Sequence, residues 1–283
     1  MEDSIILTDM GYITMSDCVN KTVKIWDGEK ITDAKIKYVG KSKLYKFRLS
    51  NGITIRCSPE YEWHIGIAKN LKVGSVLADY DLPILDKREK HCLSFKNPYI
   101  HAYFCINGIY NMGKPYIAIK NGKDKIIKKL NIDIRSKNTE FIDISEMIDI
   151  DRYTVPINHS IKTKIEWLNG ITDAIGIITT DNNTEYTINY KHIDDIFLHD
   201  IQMMLSTLGI RVNNNMNKLC LHHNDIIRLS RLGFAPYYFD IMSNKLIEQK
   251  NIITITDIME NYRVGDTYCF ENQQKCIISG VLI

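Results

Sequence analysis

Cysteines, histidines and a lysine run are the side chains of this sequence that could carry chemistry, and their spacing decides which chemistry is open. Seven cysteines (Cys18, Cys57, Cys92, Cys105, Cys220, Cys269 and Cys276) include no Cys-x-x-Cys pair, and their number is odd. That pattern disfavours a disulfide framework or a zinc ribbon and fits a reducing compartment. His222-His223 and the His192/His199 pair are not at spacings that point to a metal, so they read as surface residues and no metal site is expected. Lys114, Lys120, Lys123, Lys125, Lys128 and Lys129 form the densest basic stretch. Such lysines could neutralise phosphates and give sequence-independent, salt-sensitive affinity for DNA. The plainer reading is a solvated face, because the whole chain carries a formal net charge of only +2.

The elements that must hold these residues follow from length and pattern. With 283 residues, 45% hydrophobic and 25% charged, the chain can bury a sizeable core in roughly two domains. Near-neutral balance excludes a strongly basic nucleic-acid binder and an acidic disordered tail protein. No apolar run approaches the ~18 residues of a membrane span, and Met1-Glu2-Asp3 does not start a signal peptide, so an intracellular, cytoplasmic protein without membrane contact is expected. The wealth of Asn, Ile and Lys suggests an AT-rich genome.

Residues 1 to about 92 read as short strands. Val23 to Trp26 runs into Asp27-Gly28, a hairpin turn, and Ala34 to Val39 and Leu44 to Leu49 alternate as two half-buried strands. Ser50-Asn51-Gly52 then turns the chain into Ile53 to Cys57. From about Lys96 to Lys250 helices mix with strands. Ile196 to Leu208 is expected as a helix stopped at Gly209, and Asp225 to Leu232 as one capped by Asn224 and ended at Gly233. Ile177 to Tyr190 reads as a hairpin turning at 181–183, and β character returns at Ile252 to Ile255, Thr267 to Phe270 and Cys276 to Ile278. A β domain interrupted by an α+β insertion is the expected architecture.

Ordered blocks along the chain carry a family resemblance. Leu7-Thr8-Asp9-Met10-Gly11-Tyr12-Ile13, Asp27-Gly28, Gly52 through Pro59 and Leu71-Lys72-Val73-Gly74-Ser75-Val76-Leu77 resemble the N-terminal half of a Hint domain, the self-splicing fold of inteins and hedgehog proteins. Gly265 to Phe270 and Ser279-Gly280-Val281-Leu282 resemble the C-terminal splicing blocks of ribonucleotide reductase inteins of large DNA viruses. The middle resembles a LAGLIDADG homing endonuclease, with two copies of the motif at Ile100 to Gly108 and Trp167 to Gly176. The resemblance implies a discontinuous, β-rich Hint domain at 1–92 and 250–283, with an inserted α+β LAGLIDADG endonuclease-like domain at 93–249.

It also implies what each site should contain, and here the residues depart from the pattern. Splicing needs a thiol or hydroxyl at the first intein residue to carry the acyl chain. The resemblance puts that group a few residues before Glu2, so Ser4 falls inside the block. The Thr-x-x-His arrangement, whose imidazole protonates the leaving nitrogen, is matched by Ser58-Pro59-Glu60-Tyr61. His64 is three residues further on, and on a strand it would point to the opposite face. Cys276 stands where the C-terminal blocks expect a histidine, and Ile283 comes before any terminal amide.

In the endonuclease motif each helix ends in an acidic residue that holds a divalent metal. Those positions hold Asn107 and Ile175, while Asp173 matches the motif's earlier, structural aspartate. Gly170 and Ala174 permit close helix approach, whereas Ala102 and Ile106 are bulkier than the glycines expected. The resemblance therefore implies a free-standing scaffold inactive in both splicing and DNA cleavage. No small-molecule cofactor is expected, with Mg²⁺ required only were the endonuclease active. Double-stranded DNA or other viral proteins are its implied partners, in host cytoplasm or virion. The alternative is a trimmed excerpt of an active intein with homing endonuclease activity.

Overall fold

The structure is a computed structural model that describes residues 4–77, 80–86, 94–119, 140–181, 185–191, 194–214, 218–240, 246, 252–271 and 275–283. The chain opens with strands β1 (Ile5–Thr8), β2 (Gly11–Thr14), β3 (Thr22–Trp26), β4 (Ile31–Leu49), β5 (Thr54–Cys57), β6 (Glu62–Trp63) and β7 (Gly66–Ile67). Helix α1 (Pro98–Asn107) is followed by β8 (Gly108–Asn111), β9 (Lys114–Ile119) and β10 (Glu140–Asp143). Next come α2 (Ile161–Ile175), β11 (Ile177–Asp181), β12 (Glu185–Lys191) and α3 (Asp195–Ser206). The last elements are β13 (Asn213–Asn214), β14 (Lys218–His222), α4 (His223–Arg231), β15 (Ile255–Phe270), β16 (Ile277–Ile278) and β17 (Val281–Leu282). Two compact units result. The first gathers 1–87, 193–219 and 248–283, and the second 88–192 and 220–247.

The first unit is built on one sheet with strand order β15-β4-β3-β1-β16-β17, to which β2 adds beside β1 and β5 beside β4. Where two strands were expected, β4 is a single strand of 19 residues. Its antiparallel partner β15 runs as one strand from Ile255 to Phe270, across the gap left between 255 and 267 by the sequence pattern. Register shifts between Met259 and Arg263 and between Thr267 and Tyr268 absorb the mismatch. Gly40, at φ +121°, lets β4 bend where a β-carbon would be strained. Buried Ala34 and Ile36 at one end, and Phe47 and Leu49 at the other, keep the two-residue period of a sheet with one covered face. Phe47 meets Trp63 with ring centroids 4.9 Å apart.

Helix α3 belongs with this unit, although the sequence division at 93–249 assigned it to the insertion. The Asp194 carboxylate caps it, accepting from the amides of Ile196 at 2.9 Å and Phe197 at 3.4 Å. The Ser50-Asn51-Gly52 turn is where it is held. Asn51 carbonyl accepts from the Asn214 amide at 3.0 Å and from Gln202 Nε2 at 3.1 Å. Gly52 sits at φ +83°, and a β-carbon there would collide with the Asn214 carbonyl oxygen. These contacts are far apart in sequence, which is why periodicity alone could not assign the helix.

In the second unit α1 packs on α2. The Asn97 side chain caps α1 by accepting from the Ile100 amide at 3.1 Å, and Pro98 fits the first turn, which needs no amide donor. Ser160 caps α2 through the Thr163 amide at 3.3 Å. Each helix runs directly into an antiparallel pair: β8–β9, extended by β10, after α1, and β11–β12 after α2. The antiparallel pair expected at 177–190 is thus present; of the turn expected at 181–183, Asp181 pairs with Glu185 as the end of β11, and 182–183 lie outside the described residues. Helix α4 starts at His223, two residues earlier than expected, and the Asp225 carboxylate rather than Asn224 accepts from the His222 amide, at 3.1 Å. Tyr99, Ile100, Tyr103, Phe104, Ile117 and Ile144 form the core around α1.

Candidate functional site

The first strand of the first unit and its last hairpin lie side by side. Ile6 pairs with Ile278, and the Ser279 amide donates to the Ile5 carbonyl at 2.9 Å. One register further, Cys276 and Ile283 exchange backbone hydrogen bonds of 3.2 and 3.0 Å. Ser279 and Gly280, at φ +49° and +87°, form the tight turn between β16 and β17, a geometry that suits the twist of a two-residue hairpin. The Tyr80 hydroxyl locks this turn by donating to the Gly280 carbonyl at 2.7 Å. Ser4, buried beside this junction, accepts the Met15 amide at 2.8 Å through its carbonyl.

Tyr61 and Cys276, noted separately in the sequence, lie within electrostatic reach of one another here. Burial of the phenol end is the main cause that pushes the Tyr61 hydroxyl far above its ordinary range, and the Cys276, Cys57 and Cys269 thiols add to it. Burial alone pushes the Cys276 thiol well above the ordinary thiol range. Cys57 is pushed up to about 12, with the Trp63 indole N–H donating to its sulfur at 3.4 Å and opposing the shift. All three groups therefore hold their protons near neutrality. None can take a proton from a nucleophile, and none carries the readily exchanged proton an imidazole would. Ser58 contributes its carbonyl, which accepts the Tyr61 amide at 3.1 Å.

His64 departs from its expected position. Trp63 pairs with Gly66, so His64 and Ile65 form the turn between β6 and β7 rather than part of a strand. The two-face rule for strands does not apply in a turn. The half-buried imidazole is held below its ordinary value, chiefly by burial and next by the Lys275 ammonium, which puts it in electrostatic reach of the residue preceding Cys276.

In the second unit, Asn107 and Ile175 end α1 and α2 and are both half-buried. Asp173 is tied into the helix pair, its carboxylate accepting from Tyr99 Oη at 2.8 Å and from the amides of Tyr237 at 2.9 Å and Tyr238 at 3.2 Å. Such a carboxylate is an anchor for the 237–238 segment. Among the described residues no group of three or more His, Cys, Asp and Glu side chains could hold a metal ion.

His101, inside the first motif copy, is fully buried. Its Nδ1 accepts from the Trp167 indole at 3.1 Å, so Nε2 carries the proton that reaches the Asp151 carbonyl at 3.0 Å. Burial, opposed by the Asp151 carbonyl, lowers its affinity for a second proton. His64 and His199 are lowered too, each chiefly by burial. A group whose folded value lies below its unfolded one costs nothing above the unfolded value, near 6.5, and destabilises as pH falls below it. The melting temperature is therefore expected to fall as pH drops from about 7 towards 5. His101→Gln, compared with its own melt at pH 7, should flatten that decline; an unchanged slope would contradict this role.

Of the lysine run, Lys114 lies on β9 with Nζ 3.9 Å from Asp143 Oδ2, while Lys120, Lys123, Lys125, Lys128 and Lys129 lie outside the described residues. His192 also lies outside them. The surface reading of the other histidines needs correction. His223 is buried at the start of α4, and His222 and His199 are half-buried, because the first turn of α4 and one side of α3 face a core.

No family model matches the chain. Over a 329-residue alignment it is 29% identical to the ribonucleoside-diphosphate reductase large subunit of Invertebrate iridescent virus 6. The alignment takes in 95% of this chain and 33% of that protein, so the chain spans about a third of the curated relative it matches. The chain is similar to part of a viral reductase subunit. A crystal structure of a mutant of an Ssp DnaB mini-intein variant aligns with 31% of this chain and 64% of its own, at 16% identity and a TM-score of 0.25. Among the described residues no helix is long and apolar enough to cross a membrane.

Proposed function

We propose that the first unit is a Hint-type, intein-like scaffold silent in self-splicing, and that the second is a LAGLIDADG-like insertion silent in DNA cleavage. The observation that carries this reading is the pairing of β1 with β16, strands from the two ends of the unit, with the Tyr61 hydroxyl in electrostatic reach of the Cys276 thiol. Excision requires both junctions within reach of one set of catalytic groups, and the β1–β16 pairing supplies that proximity. What the centre lacks is a group able to protonate a leaving amide, since the phenol and the thiols are buried acids of very low strength. Alignment with a third of a reductase subunit is also what an element inserted into such a subunit would give.

In the second unit, two helices that pack closely and each lead into a strand pair support the endonuclease likeness. Asn107 offers one neutral oxygen at the end of α1, and Ile175 offers none at the end of α2. These residues do not fit a hard divalent cation, which takes charged oxygen ligands. A scaffold of this kind would persist as a structural or binding protein inside cells, with duplex DNA or viral proteins as partners.

The alternative, a trimmed excerpt of an active intein and homing endonuclease, is favoured by one observation: the imidazole of His64, in the turn between β6 and β7, is within electrostatic reach of Lys275, next to Cys276. A fusion that places a reporter ending in cysteine a few residues before Glu2 separates the two readings. Incubated with excess dithiothreitol, it should stay intact, with no more reporter released than from a cysteine-to-alanine control. Thiol-dependent release would show a live thioester step and overturn the silent reading.

A further inference from the structure

The first unit carries a second feature, which meets the splicing-like junction at Ser279: a groove of about 1230 Å³ on the open side of β4 and β5, bounded by α3. Lys46, Arg48, Arg56 and Lys218 line it against a single carboxylate, Asp195. Lys46 and Arg48 are two residues apart on β4 and so share a face, and Lys46 stands opposite Arg56 on β5, which puts three cations on one patch of sheet. Among the described residues no ion pair neutralises Lys46, Arg48 or Lys218. Asp257, across from Arg48 on β15, is the nearest opposing charge on the neighbouring strand. His199 also lines the groove, but burial keeps its imidazole neutral near pH 7. In a chain with a net charge of +2, this is a local concentration of positive charge.

We propose that this groove binds single-stranded nucleic acid through its phosphate backbone, with Tyr262 as a stacking platform for a base. Size argues for a polymer, since the space exceeds the ~300–1,000 Å³ of ordinary small-ligand sites and one phosphate would leave it mostly empty. Tyr262 argues for bases rather than an acidic polypeptide. Tyr262 borders the groove through two of its lining cations: the residue is 37% exposed, and its ring centroid lies 4.9 Å from Lys46 Nζ and 5.8 Å from the Arg56 guanidinium carbon. An aromatic face interleaved with cations is the combination by which single strands are held without sequence preference. Polyglutamate would satisfy the charges but gain nothing from the ring.

The test is fluorescence anisotropy of the full chain with a labelled oligothymidylate of about 20 nucleotides, a duplex of the same length, and polyglutamate as competitor. The single strand should bind tightest at about 50 mM salt and weaken steeply by about 200 mM. K46Q/R48Q should lose about tenfold in affinity and lower the log–log salt slope by about 1.4, at about 0.7 per phosphate contact. Y262A should lose about fivefold or more for the single strand and little for the duplex. A variant with glutamine at Lys120, Lys123, Lys125, Lys128 and Lys129 should bind like the parent. Should K46Q/R48Q fail to fold by circular dichroism, K218Q carries the same test with half the change in slope. Tighter duplex binding, full competition by polyglutamate, or groove variants that bind as the parent does would each overturn the proposal.

Discussion

Gly170→Ala is expected to lower the melting temperature of the chain by about 5 °C or more, although alanine is the better helix former. On propensity alone the substitution in α2 should gain about 1 kcal/mol. Position 170 is, however, where α2 meets α1 most closely. A β-carbon there would run into the Tyr99 carbonyl oxygen and come within 3.0 Å of Ala102 Cβ. Tyr99 and Ala102 belong to a helix that is buried along most of its length, so neither can move aside without disturbing the core of the second unit. Overpacking of this kind costs about 1–3 kcal/mol, and more when backbone must shift. The clash therefore outweighs the propensity gain by about 2 kcal/mol, which corresponds to several degrees in a chain of this size. Thermal melts followed by circular dichroism decide it, and an equal or higher melting temperature would show that the helices can separate at no cost.

A larger loss is expected from Asp173→Ala. Three donors converge on this buried carboxylate, from Tyr99 Oη and from the backbone amides of Tyr237 and Tyr238. Hydrogen bonds to a charged acceptor contribute about 1.5–3 kcal/mol each, and donors left unsatisfied in the interior add their own desolvation cost. Loss of about 4 kcal/mol or more follows, a large part of the ~5–15 kcal/mol that ordinarily holds a domain folded. Asp173→Asn keeps one acceptor oxygen and should recover more than half of the loss. Burial, with Asp173 the next cause, pushes the Tyr99 hydroxyl far upward, so it stays a donor at any accessible pH. A denaturant series would sink this account if alanine and asparagine behaved alike, or if either left the midpoint unchanged. The same result would reopen a role for Asp173 beyond anchoring.

What could be read in the sequence was local. Gly28 and Gly52 mark real turns at positive φ, and Gly170 marks a real helix crossing. Long-range pairing was not legible. Two strands are expected at Ala34 to Val39 and Leu44 to Leu49, yet β4 continues between them because β15 pairs with it from Ile36 to Leu49. Helix α3 carries its apolar stripe openly, but nothing in that stripe says that Asn51, about 150 residues earlier, holds it.

At the candidate site, the residues that break the motif, Tyr61 and Cys276, were visible as isolated exceptions. That they come within electrostatic reach of one another is a long-range outcome, which no local pattern encodes. His64 was misjudged because a strand rule was applied to a residue in a two-residue turn. The groove cations escaped notice because Lys46, Arg48, Arg56 and Lys218 come from three strands and are dense only once those strands assemble.

The central claim is that no group at the Tyr61–Cys276 junction can carry out the proton transfers of splicing. Its most direct measurement is the intact mass of a fusion in which this chain separates two reporter domains, with cysteine supplied upstream and, after Ile283, an asparagine followed by a reporter that begins with cysteine to accept the acyl group. The account expects only the full-length precursor after prolonged incubation at neutral pH, in the parent and in His64→Ala alike. Ligated reporters of the summed mass, lost on His64→Ala, would contradict it and identify His64 as the working imidazole.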